Sequence, residues 1–194
     1  SITKEDTFYY LATADNDVKE LREAILACKT ALSTIENPKL HYRFDDFTDA
    51  DHYSLVGLGI PKAINEIFGL FKPINKQEYT EKVLTYEEGP YAYLMKKYED
   101  IEFFYGFEKK VVENDLRAIL AAAKKKDDIE SMKSLSKLAK KEYPESMISA
   151  YYSGLYQEMD GNDRRALIEY QSGLLLEESE FINKDMLLDK IYDL

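Results

Sequence analysis

The amino-acid sequence predicts an α/β unit followed by an all-α region, and three observations carry that expectation. The first 44 residues read strand, helix, strand. Past Pro73 the strand signals stop and apolar residues recur at helical spacing. From Ser146 onward, small residues fall at the intervals of a helical-hairpin repeat. The chain has 194 residues, 45% of them hydrophobic, with 16 Tyr and 9 Phe, enough apolar surface for one or two cores. Acidic residues outnumber Lys plus Arg by 37 to 26, a net charge of -11. That excess repels phosphate backbones and anionic headgroups, which argues against nucleic-acid binding and polybasic membrane attachment. The single Cys28 excludes an intramolecular disulfide and a thiolate metal cluster. No apolar run approaches the roughly 18 residues that span a bilayer. The chain starts at Ser1 with neither Met nor an apolar leader, so the expectation is a piece of a longer protein, and localisation stays open.

Phe8 to Ala14 is a short continuous aromatic and apolar run that stops at Asp15-Asn16-Asp17, the pattern of a buried strand and its turn. Val18, Leu21, Ile25, Cys28, Leu32 and Ile35 then line one helical face, with Asp17 as the expected N-cap. Asn37-Pro38 closes that helix, and Leu40 to Phe44 reads as a second strand. A helical crossover returns the second strand parallel to the first in a right-handed unit. The segment from Asp45 to Ser54 reads as an acidic loop containing His52. After it, Ile60, Ile64, Ile67, Phe68 and Phe71 recur at helical spacing, with Pro61 in the first turn.

In this topology Asp15, Asp17 and the loop after Phe44 share one sheet edge, the carboxyl ends of the strands, where open α/β folds place their sites. A lone loop histidine is ordinarily a surface residue, and an Asp between strand and helix is ordinary turn chemistry. His41 lies within the second strand and reads as a structural residue. Asp45, Asp46, Asp49 and Asp51 are hard-cation donors in type. The loop nevertheless lacks the Gly and terminal Glu of an EF-hand, and no metal or cofactor is assigned.

The run from Phe44 to Phe68 comprises an apolar strand, a short acidic loop, His52-x-Ser54-x-Val56 and an Ile- and Phe-rich helix. It resembles the C-terminal end of the esterase family of α/β-hydrolases that includes ferric-siderophore esterases and esterase D relatives. The resemblance implies an α/β remnant, a βαβ unit plus helix from the C-terminal end of an α/β-hydrolase sheet. It makes His52 the triad base and leaves Asp15 or Asp17 as the acid. A histidine that titrates near neutrality takes the proton of a serine hydroxyl and returns it to the leaving alcohol, while a carboxylate fixes its tautomer. The nucleophile elbow G-x-S-x-G is missing here, so this chain alone is expected to be inactive, with a small ester as substrate of the intact protein. The family resemblance also allows an exported or periplasmic protein. A truncated sheet leaves the strand over residues 8–14 with an open edge, through which two chains are expected to dimerise.

Residues 1–75 are thus expected to be the α/β part, 76–112 a helical linker and 113–194 a tetratricopeptide-like helical domain. The linker is Tyr-rich, turns at Gly89-Pro90 and ends in a helix near Tyr105-Gly106-Phe107. One helix then begins with Leu116, Ile119 and Leu120, an interruption follows over residues 124–128, and Ile129, Met132, Leu135, Leu138 and Ala139 form the next, stopped by Tyr143-Pro144. Gly154, Gly161, Ala166, Tyr170 and Gly173 match positions 8, 15, 20, 24 and 27 of a 34-residue tetratricopeptide-type repeat, with a poorer copy before it. A tail of this kind, with Tyr143-Pro144 and a final repeat from Gly154 to Leu174, is similar to that of many bacterial members of the same family. Lys124-Lys125-Lys126 complements a helix dipole. The alternative to the esterase reading is a non-catalytic interaction module whose helical hairpins bind a protein partner.

Overall fold

Strands β1 (Thr7–Asn16) and β2 (Leu40–Asp51) lie parallel and hydrogen-bonded in the computed structural model, which describes residues 7–194. Helix α1 (Lys19–Ser33) makes the crossover between them, and α2 (Ser54–Ile67) packs back against both strands. The first compact unit ends at Lys72 and the second runs Pro73–Leu194.

Several details of the first unit differ from the sequence expectation. β2 does not stop at Phe44 but continues through the acidic run to Asp51. The carboxylates are tolerated in a strand because neighbours take them up. Tyr10 OH donates to Asp45 Oδ2 at 2.7 Å, and Arg22 forks onto Asp46 at 2.7 and 2.9 Å. β1 was expected to be buried, yet only Thr13 and Ala14 of it are, and Tyr9 is exposed. A sheet of two described strands with two helices leaves much of its surface uncovered. α2 begins at Ser54, not near Ile60, so Pro61 sits in its interior. Its start is set by Asp51, whose Oδ1 accepts the N–H groups of Tyr53 and Ser54 at 3.0 and 2.8 Å.

The second unit is helical. α3 (Lys76–Glu78) runs into a π-turn (Tyr79–Val83), followed by α4 (Pro90–Tyr105), α5 (Glu113–Lys126), α6 (Ile129–Glu142), α7 (Met147–Met159), α8 (Asp163–Gly173) and α9 (Lys184–Asp193). From α5 onward each helix packs on the next. The α7–α8 approach depends on Gly154, where an added Cβ would come within 2.2 Å of the Tyr170 ring, and the α8–α9 approach on Gly173, where it would meet Leu187 at 2.4 Å. Residues 74–105 are bonded into the same unit. The buried Asp115 carboxylate accepts Ile74 N–H at 2.6 Å and Tyr98 OH at 2.9 Å, and Lys97 meets Glu78 at 2.8 Å. Among the described residues no helix is long and apolar enough to cross a membrane.

Candidate active site

The carboxyl ends of β1 and β2 are where the sequence placed Asp15, Asp17 and His52, and the structure separates their roles. The parallel register holds from Thr7↔Leu40 to Ala14↔Phe47, then jumps to Asn16↔Asp51, so β2 bulges over Thr48, Asp49 and Ala50. Asp49 takes the left-handed conformation at φ 53°. Asp15 fills the gap in the ladder. Its carboxylate accepts Asp49 N–H at 3.0 Å and Ala50 N–H at 3.2 Å, standing in for the absent strand partners. These bonds, led by Asp49 and Ala50, hold the Asp15 carboxyl below the usual carboxylate range. Asp15 is therefore tied to the bulge and is not brought to the histidine.

Asp17 is brought to it. His52 Nδ1 lies 2.8 Å from Asp17 Oδ1, and the Asp17 side chain is only 1% exposed. The same carboxylate accepts Val18 N–H at 2.8 Å and the hydroxyl of the fully buried Thr13 at 3.0 Å. Asp17 thus lies one residue before the helix N-cap, which is Val18, because its side chain turns toward the sheet edge instead of the first helical turn. Desolvation works against the ionised form, but the His52, Val18 and Thr13 hydrogen bonds outweigh it and hold the Asp17 carboxyl below its ordinary range. An ionised carboxylate only accepts, so Nδ1 of His52 is the donor, and in the neutral ring this leaves the lone pair on Nε2. Nε2 has no hydrogen-bond partner among the described residues, and the side chain is 46% exposed. The bulge places this ring at the strand end, with its Nδ1 side held and its Nε2 side open.

Ser54 is not positioned as a nucleophile. Its hydroxyl donates to Asp51 Oδ1 at 2.9 Å and accepts Asp51 N–H at 2.8 Å, closing the turn that starts α2. The remaining aspartates of the acidic run are spread over different cations and amides, and no group of three or more His, Cys, Asp or Glu among the described residues is arranged to hold a metal ion. His41 stacks on Phe8 with ring centroids 4.9 Å apart, across the strand pair. A cavity of about 370 Å³ lined by Phe8, Tyr10, His41 and Glu66 lies at the other end of the strands from His52. The sequence reading missed the ladder function of Asp15 and the anchoring by Thr13. The second had a signal, a polar residue among apolar ones four positions before Asp17.

No protein-family model matches this chain, and no curated protein matches it. The chain is similar to a solved structure of an uncharacterised protein from Capnocytophaga ochracea DSM 7271, at 29% identity and a TM-score of 0.80, over 98% of this chain and 53% of that one. The present chain thus spans about half the length of that protein.

Proposed function

We propose that this chain supplies the histidine and the acid of a serine esterase, as the C-terminal part of an α/β-hydrolase domain joined to a tetratricopeptide-like helical region. One observation carries the reading: a desolvated, triply bonded carboxylate at one parallel strand end orients a histidine at the next, with Nε2 left open. That is the acid–base half of a triad, with Asp17 and not Asp15 as the orienting group. The nucleophile, the oxyanion hole and the earlier strands would come from a further part of the protein. The similar solved chain, about twice as long, has room for such a part.

In the proposed reaction Nε2 of His52 takes the proton of the serine hydroxyl as its oxygen attacks the ester carbonyl. The imidazolium, balanced by Asp17, then protonates the departing alkoxide. A water attacks the acyl-enzyme with the same proton path, releasing the acid and restoring the serine. The tetratricopeptide-like assignment is supported by the close α7–α8 approach at Gly154 and Tyr170, two of the repeat's signature positions.

The test uses the full-length protein and a short-chain nitrophenyl ester. His52→Ala is expected to reduce turnover by orders of magnitude, and Asp17→Asn by about 10⁴-fold, as loss of the orienting acid does in serine triads. Asp15→Asn should leave the dyad in place and lower activity far less. Wild-type turnover in His52→Ala, or a full-length sequence without a strand-borne G-x-S-x-G, would refute the proposal.

A further inference from the structure

The charge distribution of the helical unit contains an anomaly. In a chain of net charge -11, a groove of about 290 Å³ between α5, α7 and the segment entering α9 is lined by Arg117, Lys124, Leu120, Tyr151, Phe181 and Met186 among its residues, with no carboxylate in its wall. Neither cation is neutralised. The Arg117 guanidinium lies 3.8 Å over the Phe181 ring, and its N–H groups have no acceptor among the described residues. The Lys124 ammonium likewise has neither a hydrogen bond nor an ion pair there. The carboxylate that would serve it, Glu158, is already taken by Lys190 at 2.8 Å and Tyr170 OH at 2.6 Å. Unpaired cations flanking an aromatic and aliphatic floor are complementary to an anionic ligand with an apolar body.

The spacing narrows the ligand. Arg117 and Lys124 are two turns apart on one face of α5, about 10 Å along the helix axis at 1.5 Å per residue. In an extended peptide alternate side chains share a face, so residues i, i+2 and i+4 can meet the groove together over about 13 Å, within reach of the two long cationic side chains. We propose that this groove binds an extended acidic segment of a partner protein, with two carboxylates four residues apart and an apolar side chain midway between them. Arg117 and Lys124 pair with the carboxylates, and the apolar side chain sits on Leu120 and Phe181. The site lies wholly in the second unit, so it stands or falls independently of the Asp17–His52 reading.

A fluorescein-labelled peptide carrying Glu-Ala-Leu-Ala-Glu between glycines tests this by fluorescence anisotropy with the full chain. Saturable binding below ~1 mM is expected. Arg117→Gln and Lys124→Gln should each weaken it by roughly fivefold, and added salt should weaken it further. Lys124→Gln leaves the Arg117–Phe181 stack intact, so it reads the charge without disturbing the fold, and circular dichroism checks both variants. Absence of saturation at ~1 mM, equal binding of a Gln-Ala-Leu-Ala-Gln peptide, or unchanged affinity in both variants would overturn the proposal. Displacement by suberate as effective as by the unlabelled peptide would also overturn it, in favour of a free dicarboxylate.

Discussion

The two units are held together by different forces. Of the 25 buried apolar residues among those described, only Ala14, Leu32 and Ala50 belong to the first unit. Of the 17 large hydrophobic residues left exposed, 11 are there. The helical unit closes its own core, with Leu94, Ile101, Leu116, Ile119, Met132, Leu135, Tyr152 and Leu187 all at or near zero exposure. The α/β unit is tied instead by polar contacts: Arg22 to Asp46, Tyr10 to Asp45, Asp15 to the bulge and Asp17 to His52. Secondary structure can thus be complete where hydrophobic closure is not. The candidate catalytic pair lies in the unit that depends least on burial.

The sharpest break between the units is expected from substitutions that empty or overfill the helical core. Leu116→Ala removes a side chain with no exposure in the helical core and should cost about 2–5 kcal/mol, read as a lowered denaturant midpoint for that unit. Gly154→Val drives a branched side chain into the Tyr170 ring and should cost about 1–3 kcal/mol or force α8 outward. If either variant unfolded with the wild-type midpoint, the helical unit would not be held by its core.

Acid should divide the units next. Asp15, Asp17, Asp45, Asp46 and Asp51 all have carboxyl groups held below their ordinary range, and all lie in the first unit. A depressed folded-state value means stability that is fully present above the unfolded carboxylate value, about 3.9, and is lost as pH falls through the lower folded values. Protection of the β1 and β2 amides, taken relative to the intrinsic exchange rate at each pH, should therefore fall below about pH 4 before that of α5 to α8 does. Asp46→Asn, which removes the Arg22 fork, should flatten that acid dependence. An acid transition led by the helices would reverse the assignment of forces.

Much of this contrast was legible in the sequence. The strand, helix, strand order and the parallel crossover already place Asp17 and His52 at one edge, because parallel strands align their carboxyl ends. The repeat spacing likewise anticipates the close approach at Gly154. What could not be read was set by contacts distant in sequence. The acidic run becomes strand because Arg22 and Tyr10 take its charges, and Asp15 acquires its ladder function only once the bulge exists. The groove eluded sequence reading for the same reason. Lys124 reads as a dipole partner at the end of α5, and nothing local indicates that Phe181 packs beneath Arg117.

The smallest effect sharpens the comparison furthest. Val56 and Ile60 on α2 are 59% and 54% exposed, so Val56→Ser and Ile60→Ser should each change the stability of this chain by no more than about 0.5 kcal/mol. The esterase proposal requires further strands and helices over the first unit in the full-length protein. There the same substitutions would remove buried apolar surface and should each cost about 1.5–3 kcal/mol. Measuring both variants in both lengths by denaturant unfolding isolates the covering from every other difference between them. A near-zero cost in both lengths would mean that the apolar side of α2 stays in water, and the α/β unit would then not be part of a larger sheet domain.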